Sequence, residues 1–167
     1  FKPIYLRYYP HTGTWQVIEP LAIYDEMTAV SDRVVYAHIW DSEAYKSVDT
    51  GSTYSRISRD PLYNVYDISF SDSIVGRVAG WWFSSTTDGG ATLNNRQVCR
   101  HGCSSVVFVD TLNGWIGSSQ ALFRTTDGGL TWQDQTKFID TRPLPSNYWD
   151  AKHLAAIDSN IAFFGGR

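Results

Sequence analysis

The stretch LFRTTDGGLTWQ, residues 122–133, places an aspartate between threonines and follows it with two glycines and a Thr-Trp pair. Such a stretch can be a cation loop, a phosphate cradle, a catalytic carboxylate or a hairpin turn. A helix-loop-helix calcium loop needs further oxygen ligands and a glutamate at its twelfth position, and a phosphate loop needs Gly-Lys-Ser/Thr before a helix. Neither pattern is present, so the choice depends on whether the stretch recurs.

It does recur, at a constant period. Three segments, which we call the acidic boxes, share the pattern Ser/Thr, any residue, Asp, any residue, Gly, any residue, Thr and a large apolar residue: SVDTGSTY (47–54), TTDGGATL (86–93) and TTDGGLTW (125–132). Successive aspartates are 39 residues apart. Because a catalytic residue occurs once and a structural device recurs, the repeat favours a turn.

A decayed fourth copy lies 39 residues before the first box. Thr14 and Trp15 remain there, but Pro10 stands at the aspartate position. The residue before each copy is basic in three of the four cases, and the residues concerned are Arg7, Lys46, Ser85 and Arg124.

Each box is expected to close a hairpin. The aspartate accepts backbone hydrogen bonds, glycine supplies a positive φ, the threonine hydroxyl bonds locally and the large apolar residue packs the hairpin. The residues assigned this structural role are Asp49, Gly51, Thr53, Tyr54, Asp88, Gly90, Thr92, Asp127, Gly129, Thr131 and Trp132.

Between the boxes the chain reads as short strands. Two apolar stretches flank a polar turn around Asp32, Asp72 or Asp110, and a third stretch runs into the box. Four strands in about 40 residues is the unit of a β-propeller blade. The sequence therefore predicts an all-β propeller region over 1–167, with blades at about 20–58, 59–97 and 98–140 and partial blades at 1–19 and 151–167. Helical periodicity is limited to one turn near residues 148–154.

The boxes resemble the Asp-box, or bacterial neuraminidase repeat, and FVDTLNGWIGSSQALFRTTDGGLTWQ looks like a blade of the photosystem II assembly and stability factor family. Sialidases, xyloglucanases and sortilin-type receptors carry similar boxes. The resemblance implies a propeller, not one activity. The chain has room for about four blades, fewer than those families generally have. The terminal partial blades could together close a small four-bladed ring, but we expect a piece of a longer propeller.

Composition excludes some partners. The 167 residues are 43% hydrophobic, enough to bury a core, and the net charge of −3 lacks the basic footprint of a nucleic-acid binder. No apolar run approaches the roughly 18 residues of a membrane span, and the first ten residues lack the pattern of a signal peptide. We expect neither nucleic acid nor a membrane span, and no cofactor.

Cys99 and Cys103, in CRHGC, are the two cysteines. A disulfide between them would indicate an oxidising, extracytoplasmic compartment, which is secreted, periplasmic or lumenal. A metal site through His101 would need another ligand and has unusually tight spacing, so no metal is expected. Two free thiols are the remaining alternative.

Binding is expected on the face opposite the boxes, in the blade-to-blade and second-to-third loops, and in the central channel. The candidate segments are 41–43, 59–64, 100–102 and 140–152, and the last contains about ten residues more than its counterparts. Aromatic rings beside charges suit a sugar or a protein contact, although Trp149 could equally fill the space between blades. The candidate binding residues are Arg142, Tyr148, Trp149, Asp150, Arg59, Asp60 and Tyr63.

Catalysis is not expected. A sialidase needs a Phe/Tyr-Arg-Ile-Pro motif, which is absent, and a Tyr/Glu nucleophile pair. An inverting glycosidase needs two carboxylates about 6.5–9.5 Å apart. Candidates for such a pair are Asp41, Glu43, Asp60 and Asp150. The sequence predicts a non-catalytic propeller module that binds a protein partner, as an assembly factor or extracellular scaffold does. The alternatives are part of a carbohydrate-active or glycan-binding propeller and a sortilin-like receptor ectodomain.

Overall fold

The computed structural model describes residues 5–9, 12–18, 24–39, 43–57, 64–119, 121–138 and 151–165. These ranges contain sixteen β-strands and one turn of 3₁₀ helix, Thr136–Phe138. The strands are β1 Tyr5–Tyr9, β2 Thr14–Ile18, β3 Glu26–Ala29, β4 Val35–His38, β5 Ala44–Ser47, β6 Ser55–Arg56, β7 Val65–Phe70, β8 Gly76–Gly80, β9 Phe83–Thr86, β10 Asn94–Arg96, β11 Ser105–Phe108, β12 Gly114–Ser118, β13 Ala121–Thr125, β14 Gln133–Asp134, β15 His153–Ala156 and β16 Ala162–Gly165.

The strands form antiparallel meanders. β3 to β6, β7 to β10 and β11 to β14 each make a four-stranded sheet in chain order, and β1–β2 and β15–β16 make two-stranded sheets. We call the three complete sheets S1, S2 and S3. The predicted all-β chain of four-stranded antiparallel units is thereby confirmed. Within the described residues the two terminal hairpins remain separate sheets, so closure into a ring is not shown.

The core lies between successive sheets. Tyr36 of S1 stacks on Phe70 of S2, with ring centroids 3.5 Å apart, in a cluster that also contains Ile57 and Val78. Between S2 and S3, Phe83 meets Trp132 edge-on at 5.1 Å. Because apolar side chains fill the space between sheets on both sides of S2, each sheet is held by its neighbours.

Each acidic box is the turn between the third and fourth strands of its sheet. In the third box, Asp127 Oδ1 accepts the Thr131 N–H at 2.9 Å, and Thr125 Oγ1 accepts the Gly129 N–H at 3.0 Å. Gly129 has φ +91°, and a Cβ there would lie 2.6 Å from the Phe83 ring. The same bonds occur at Asp49 and Asp88. The buried groups are the first Ser or Thr and the Gly, whereas Asp88 is exposed and Asp49 and Asp127 are partly exposed.

The turns between the first and second strands also depend on one side-chain acceptor. Asp72 Oδ1 accepts the N–H groups of Ile74 and Val75, both at 2.7 Å, and Asp110 and Asp158 act alike. In S1 the acceptor is the Ser31 hydroxyl. The turn expected around Asp32 is therefore organised by its neighbour, because Ser31 occupies the position from which an oxygen reaches N–H groups two and three residues on.

Cations connect successive sheets. Lys46 Nζ donates to the Ser73 and Gly89 carbonyl oxygens of S2, at 2.9 and 3.4 Å. Arg124 of S3 donates to the Ser159 carbonyl oxygen at 2.7 Å, in the hairpin of β15 and β16. The repeated basic position noted in the sequence thus holds S1 to S2 through Lys46 and S3 to the last hairpin through Arg124.

Within the described ranges, no helix has the length and apolar character needed to cross a membrane.

Candidate functional site

A cavity of about 350 Å³ opens among the first strands of successive sheets. β3, β7, β11 and β15 contribute to its wall, together with the end of β4. The charged and polar residues around it are Asp25, Glu26, Thr28, His38, Tyr66, Asp67, Ser69, Lys152 and His153. Glu26 and His153 begin their strands, so part of the cavity lies at the end of these first strands that is remote from the acidic boxes.

Glu26 and His38 pair across β3 and β4, where they are register partners. Glu26 Oε2 lies 3.4 Å from His38 Nε2. The Glu26 side chain is 53% exposed and that of His38 only 2%. The His38 contact lowers the pKa of Glu26 against an opposing effect of burial. The other ring nitrogen of His38, Nδ1, is buried and has no hydrogen-bond partner.

Asp67 lies on β7, in the middle of an otherwise mainly apolar strand. Its Oδ2 accepts the Val106 N–H of β11 at 2.8 Å, and its Oδ1 accepts the Ile68 N–H at 2.7 Å. Burial, and then the charge of Glu26, raise the pKa of Asp67 well above its usual range, although these N–H groups act in the opposite direction. The carboxyl thus links S2 to S3 and faces a second acid from S1.

The three side chains form one cluster, which we call the acid–histidine cluster: Glu26, His38 and Asp67. One candidate ligand atom from each lies within 4.8 Å of the others. No other group of three or more His, Cys, Asp or Glu with this spacing occurs in the part of the chain that the structure describes. The set of one imidazole and two carboxylates could hold a divalent cation or share a proton.

Basic side chains at the start of β15 also line the cavity. Lys152 and His153 lie on the cavity wall, and the charge of His153 contributes to lowering the pKa of Glu26. Lys152 belongs to the predicted long loop, 140–152. The cavity therefore carries both acidic and basic side chains on one concave surface.

All seven predicted binding residues lie outside the described residues, as does Asp41 of the predicted carboxylate set. The seven are Arg142, Tyr148, Trp149, Asp150, Arg59, Asp60 and Tyr63. The predicted helical turn near 148–154 begins among them, and its described part contains β15 instead.

Glu43 is the described member of the predicted carboxylate set. It forms an ion pair with Arg56 at 2.9 Å and accepts the Tyr45 hydroxyl at 2.7 Å. These contacts are local to S1, and Glu43 does not line the cavity. Its described contacts are therefore those of a structural residue.

Cys99 and Cys103 form a disulfide in the structure, with Cα atoms 5.4 Å apart. Both are buried in the cluster between S2 and S3, and the Cys103 N–H donates to the Gly80 carbonyl oxygen at 2.7 Å. His101 between them is exposed, whereas the two sulfur atoms belong to buried residues.

Sequence reasoning missed the acid–histidine cluster because its members come from three strands and form no motif. Two signals were present in the sequence. Asp67 interrupts the apolar pattern of VYDISF, and His38 interrupts VVYAHIW. A polar residue inside a buried strand needs a partner, but periodicity does not say which one.

No protein-family model matches the chain, and a search of curated proteins finds no match. Solved structures do match. YCF48 from Cyanidioschyzon merolae aligns with a TM-score of 0.61 at 14% identity, over 92% of this chain and 57% of that one. A structure of YCF48 bound to D1 peptide gives 0.59 at 17% identity, over 70% and 41%. An ancestral GH74 enzyme gives 0.55 at 14% identity, over 71% and 19%.

These likenesses concern the fold. Together with the antiparallel four-stranded sheets, they assign the chain to the β-propeller class. The chain spans 41% and 57% of the two YCF48 chains and a smaller share of the GH74 enzyme. The cavity lies on the first strand of each blade, which is the strand that faces the central channel in this class.

Proposed function

We propose that this chain is a non-catalytic propeller module that binds a peptide segment of a protein partner. The observation that carries the proposal is the cavity of about 350 Å³ on the inner strands, where Glu26, Lys152 and His153 present both charge signs. Its volume is within the range of roughly 300–1,000 Å³ typical of ligand sites. Concave surfaces with a few fixed polar groups recognise extended ligands through orientation and charge.

The surroundings favour binding over chemistry. The Asp67 oxygens each accept a backbone N–H, so this carboxyl is held between β7 and β11 rather than presented to a reacting group. Because the wall is built from strands that are already ordered, the site itself loses less entropy when a peptide docks. The propeller neighbour YCF48 has been solved with D1 peptide, so a chain of this fold accommodates a peptide. The resemblance of the acidic boxes to assembly-factor blades points the same way.

A peptide library tests the proposal. The purified chain is panned against a random peptide library, and the affinity of each selected peptide is measured with the wild type and with Lys152→Glu. We expect the selected peptides to lose affinity about tenfold or more in Lys152→Glu, because a cation on the cavity wall becomes an anion. Arg33→Glu, which makes the same charge change on an exposed hairpin turn, should leave the affinity nearly unchanged. Equal loss in both variants, or no selected peptide, would overturn the proposal.

The long loop is a proposed extension of this site. Residues 140–150 lead directly into Ala151 and Lys152, and Lys152 lines the cavity. Tyr and Trp are enriched among interface residues that dominate binding energy. We propose that Arg142, Tyr148, Trp149 and Asp150 contact the partner, and that Trp149→Ala weakens peptide binding by at least about 1 kcal/mol. An unfolded Trp149→Ala variant would instead assign Trp149 to core packing.

A carbohydrate-active function is the second candidate, because two carboxyls with oppositely shifted pKa values face the cavity. One oxygen of Glu26 and one of Asp67 lie within the cluster spacing of 4.8 Å. Glycosidase pairs are about 5–5.5 Å apart when retaining and about 6.5–9.5 Å apart when inverting. The separation of at most 4.8 Å between these oxygens is nearer to the retaining spacing than to the inverting one. Reducing-end release from a polysaccharide panel, abolished in Glu26→Gln, would support the enzyme instead.

The compartment is proposed to be extracytoplasmic. The Cys99–Cys103 disulfide persists only where thiols are not kept reduced. Partners in such a compartment include secreted, periplasmic or lumenal proteins.

A further inference from the structure

We propose that the acid–histidine cluster is a zinc site, with Glu26, His38 and Asp67 as ligands and its open position directed toward the cavity. This inference goes beyond peptide binding and does not depend on it. The three residues come from β3, β4 and β7, so the site spans S1 and S2.

The separation of the first two ligands fits a metal better than a direct bond. His38 Nε2 and Glu26 Oε2 are 3.4 Å apart, near the limit of a hydrogen bond. Zinc binds imidazole nitrogen and carboxylate oxygen at roughly 2.0–2.2 Å in tetrahedral geometry, which places neighbouring ligand atoms about 3.4 Å apart. The two atoms already have the spacing of one edge of that tetrahedron.

His38 has an unsatisfied bonding capacity. Its ring is 1% exposed, Nδ1 has no hydrogen-bond partner, and Nε2 has only the long Glu26 contact. The long contact of Nε2 leaves its lone pair available. A metal bound at Nε2 would use that lone pair, and imidazole is a preferred zinc ligand.

Asp67 is oriented in advance. The Val106 and Ile68 N–H groups each occupy one lone pair of a different carboxylate oxygen, at 2.8 and 2.7 Å. Each oxygen retains another lone pair for a metal. Hydrogen bonds of this kind fix ligating carboxylates in metal sites. They also hold Asp67 in place beside Glu26.

Charge favours a dication over a hydrogen-bond network alone. The cluster combines two carboxyls with one buried imidazole, and a divalent cation would stabilise both acids in their charged form. His153 lies on the wall of the same cavity and offers a further imidazole. Zinc suits this mixed nitrogen and oxygen set, whereas magnesium and calcium prefer oxygen alone.

Isothermal titration of the chelator-treated, tag-free chain with ZnCl₂ tests the site. We expect one zinc ion per chain, a melting temperature that rises with zinc, and little response to MgCl₂ or CaCl₂. Glu26→Gln should weaken zinc binding at least about tenfold. Loss of a residue that only orients a ligand already costs about tenfold or more, and loss of a ligand itself should cost at least as much. Glu26 is half-exposed, so this variant should fold even if a His38 variant does not.

His101→Gln is the matched control. It removes an exposed imidazole of the described residues that lies outside the cavity, and zinc affinity should not change. Co²⁺ titration followed by visible absorption gives a second readout, because four-coordinate cobalt absorbs far more strongly than six-coordinate cobalt. Absence of zinc binding, or equal binding by the wild type and Glu26→Gln, would overturn the proposal. Loss in His101→Gln with no loss in Glu26→Gln would show surface binding only.

Discussion

Arg77 performs in S2 the task that Lys46 performs in S1, although the two residues stand on different strands. Lys46 is on the third strand of S1 and Arg77 on the second strand of S2. Arg77 donates to the carbonyl oxygens of Thr111 and Gly128 in S3, at 3.2 and 3.1 Å. These two carbonyls occupy the same turn positions as those that Lys46 binds in S2.

The exchange explains why Ser85 breaks the repeated basic pattern. Ser85 is the register partner of Arg77, just as Lys46 is that of Tyr36. In S2 the cation therefore stands on the second strand instead of the third, and the third strand has a small residue at the equivalent position. Either strand can supply the cation because cross-strand partners lie side by side.

Arg77→Ala should destabilise the chain by about 2–4 kcal/mol, because two partly buried carbonyl oxygens lose a charged donor. The double variant Arg77→Tyr, Ser85→Lys copies the pair found in S1 and should recover at least half of this loss. Urea denaturation measures both. Arg33→Ala, an exposed arginine, should change stability by less than about 0.5 kcal/mol. A double variant no more stable than Arg77→Ala would show that the two arrangements are not equivalent.

The acidic boxes should make stability depend on acid. Hydrogen bonds from Thr92 and Thr131 lower the pKa of Asp88 and Asp127 from 3.8 to about 2. Folding therefore favours the charged carboxylates. Their contribution is complete above pH 3.8 and is lost as the pH falls through about 2.

NMR titration of the Asp127 side chain measures this effect directly. Thr131→Val removes the hydroxyl that donates to Asp127 and should raise its pKa toward 3.8. Thr126→Val changes an exposed neighbour and should leave the pKa near 2. A pKa that does not respond to Thr131→Val would mean that the hydroxyl bond does not hold the carboxylate.

Thr50 is a strained residue in the first box. Its φ is +61°, at the position where the other boxes have Gly89 and Gly128, with φ of +72° and +75°. A β-branched residue is disfavoured there. Thr50→Gly should raise the free energy of unfolding by up to about 1 kcal/mol. Relief of the backbone strain stabilises the folded chain, and the greater entropy of glycine in the unfolded chain offsets part of this gain.

The reverse change should be harmful. Gly89→Thr brings a Cβ within 2.4 Å of Lys46 Nζ and 2.7 Å of the Ser73 carbonyl oxygen. Thermal denaturation of both variants checks the asymmetry. Destabilisation by Thr50→Gly would show that the Thr50 side chain contributes more than its backbone strain costs.

The disulfide should stabilise the chain modestly, because it closes a short loop. A loop of this size corresponds to about 2 kcal/mol in the chain-entropy model. Reduction should lower stability by that amount, and alkylation of the unreduced, denatured chain should add no label at Cys99 or Cys103. Addition of two labels, measured by mass spectrometry, would contradict both the disulfide and the proposed compartment.

The strand pattern and the repeated turns could be predicted from the sequence because they depend on neighbours in the chain. Asp127, Gly129 and Thr131 complete one turn among themselves, so their spacing is enough to identify it. The same local logic located the hairpin turns, although Ser31 rather than Asp32 supplies the acceptor in S1.

The acid–histidine cluster, the cavity and the exchange of Lys46 for Arg77 were decided by the tertiary structure. Glu26 and Asp67 are 41 positions apart, and they meet only because S1 and S2 pack side by side with their first strands adjacent. The period of 39 residues indicates that the sheets repeat, but it does not indicate which side chains of the first strands face each other. That choice depends on strand register, on the packing of Tyr36 against Phe70 and on the bonds between sheets, all of which join residues far apart in the chain.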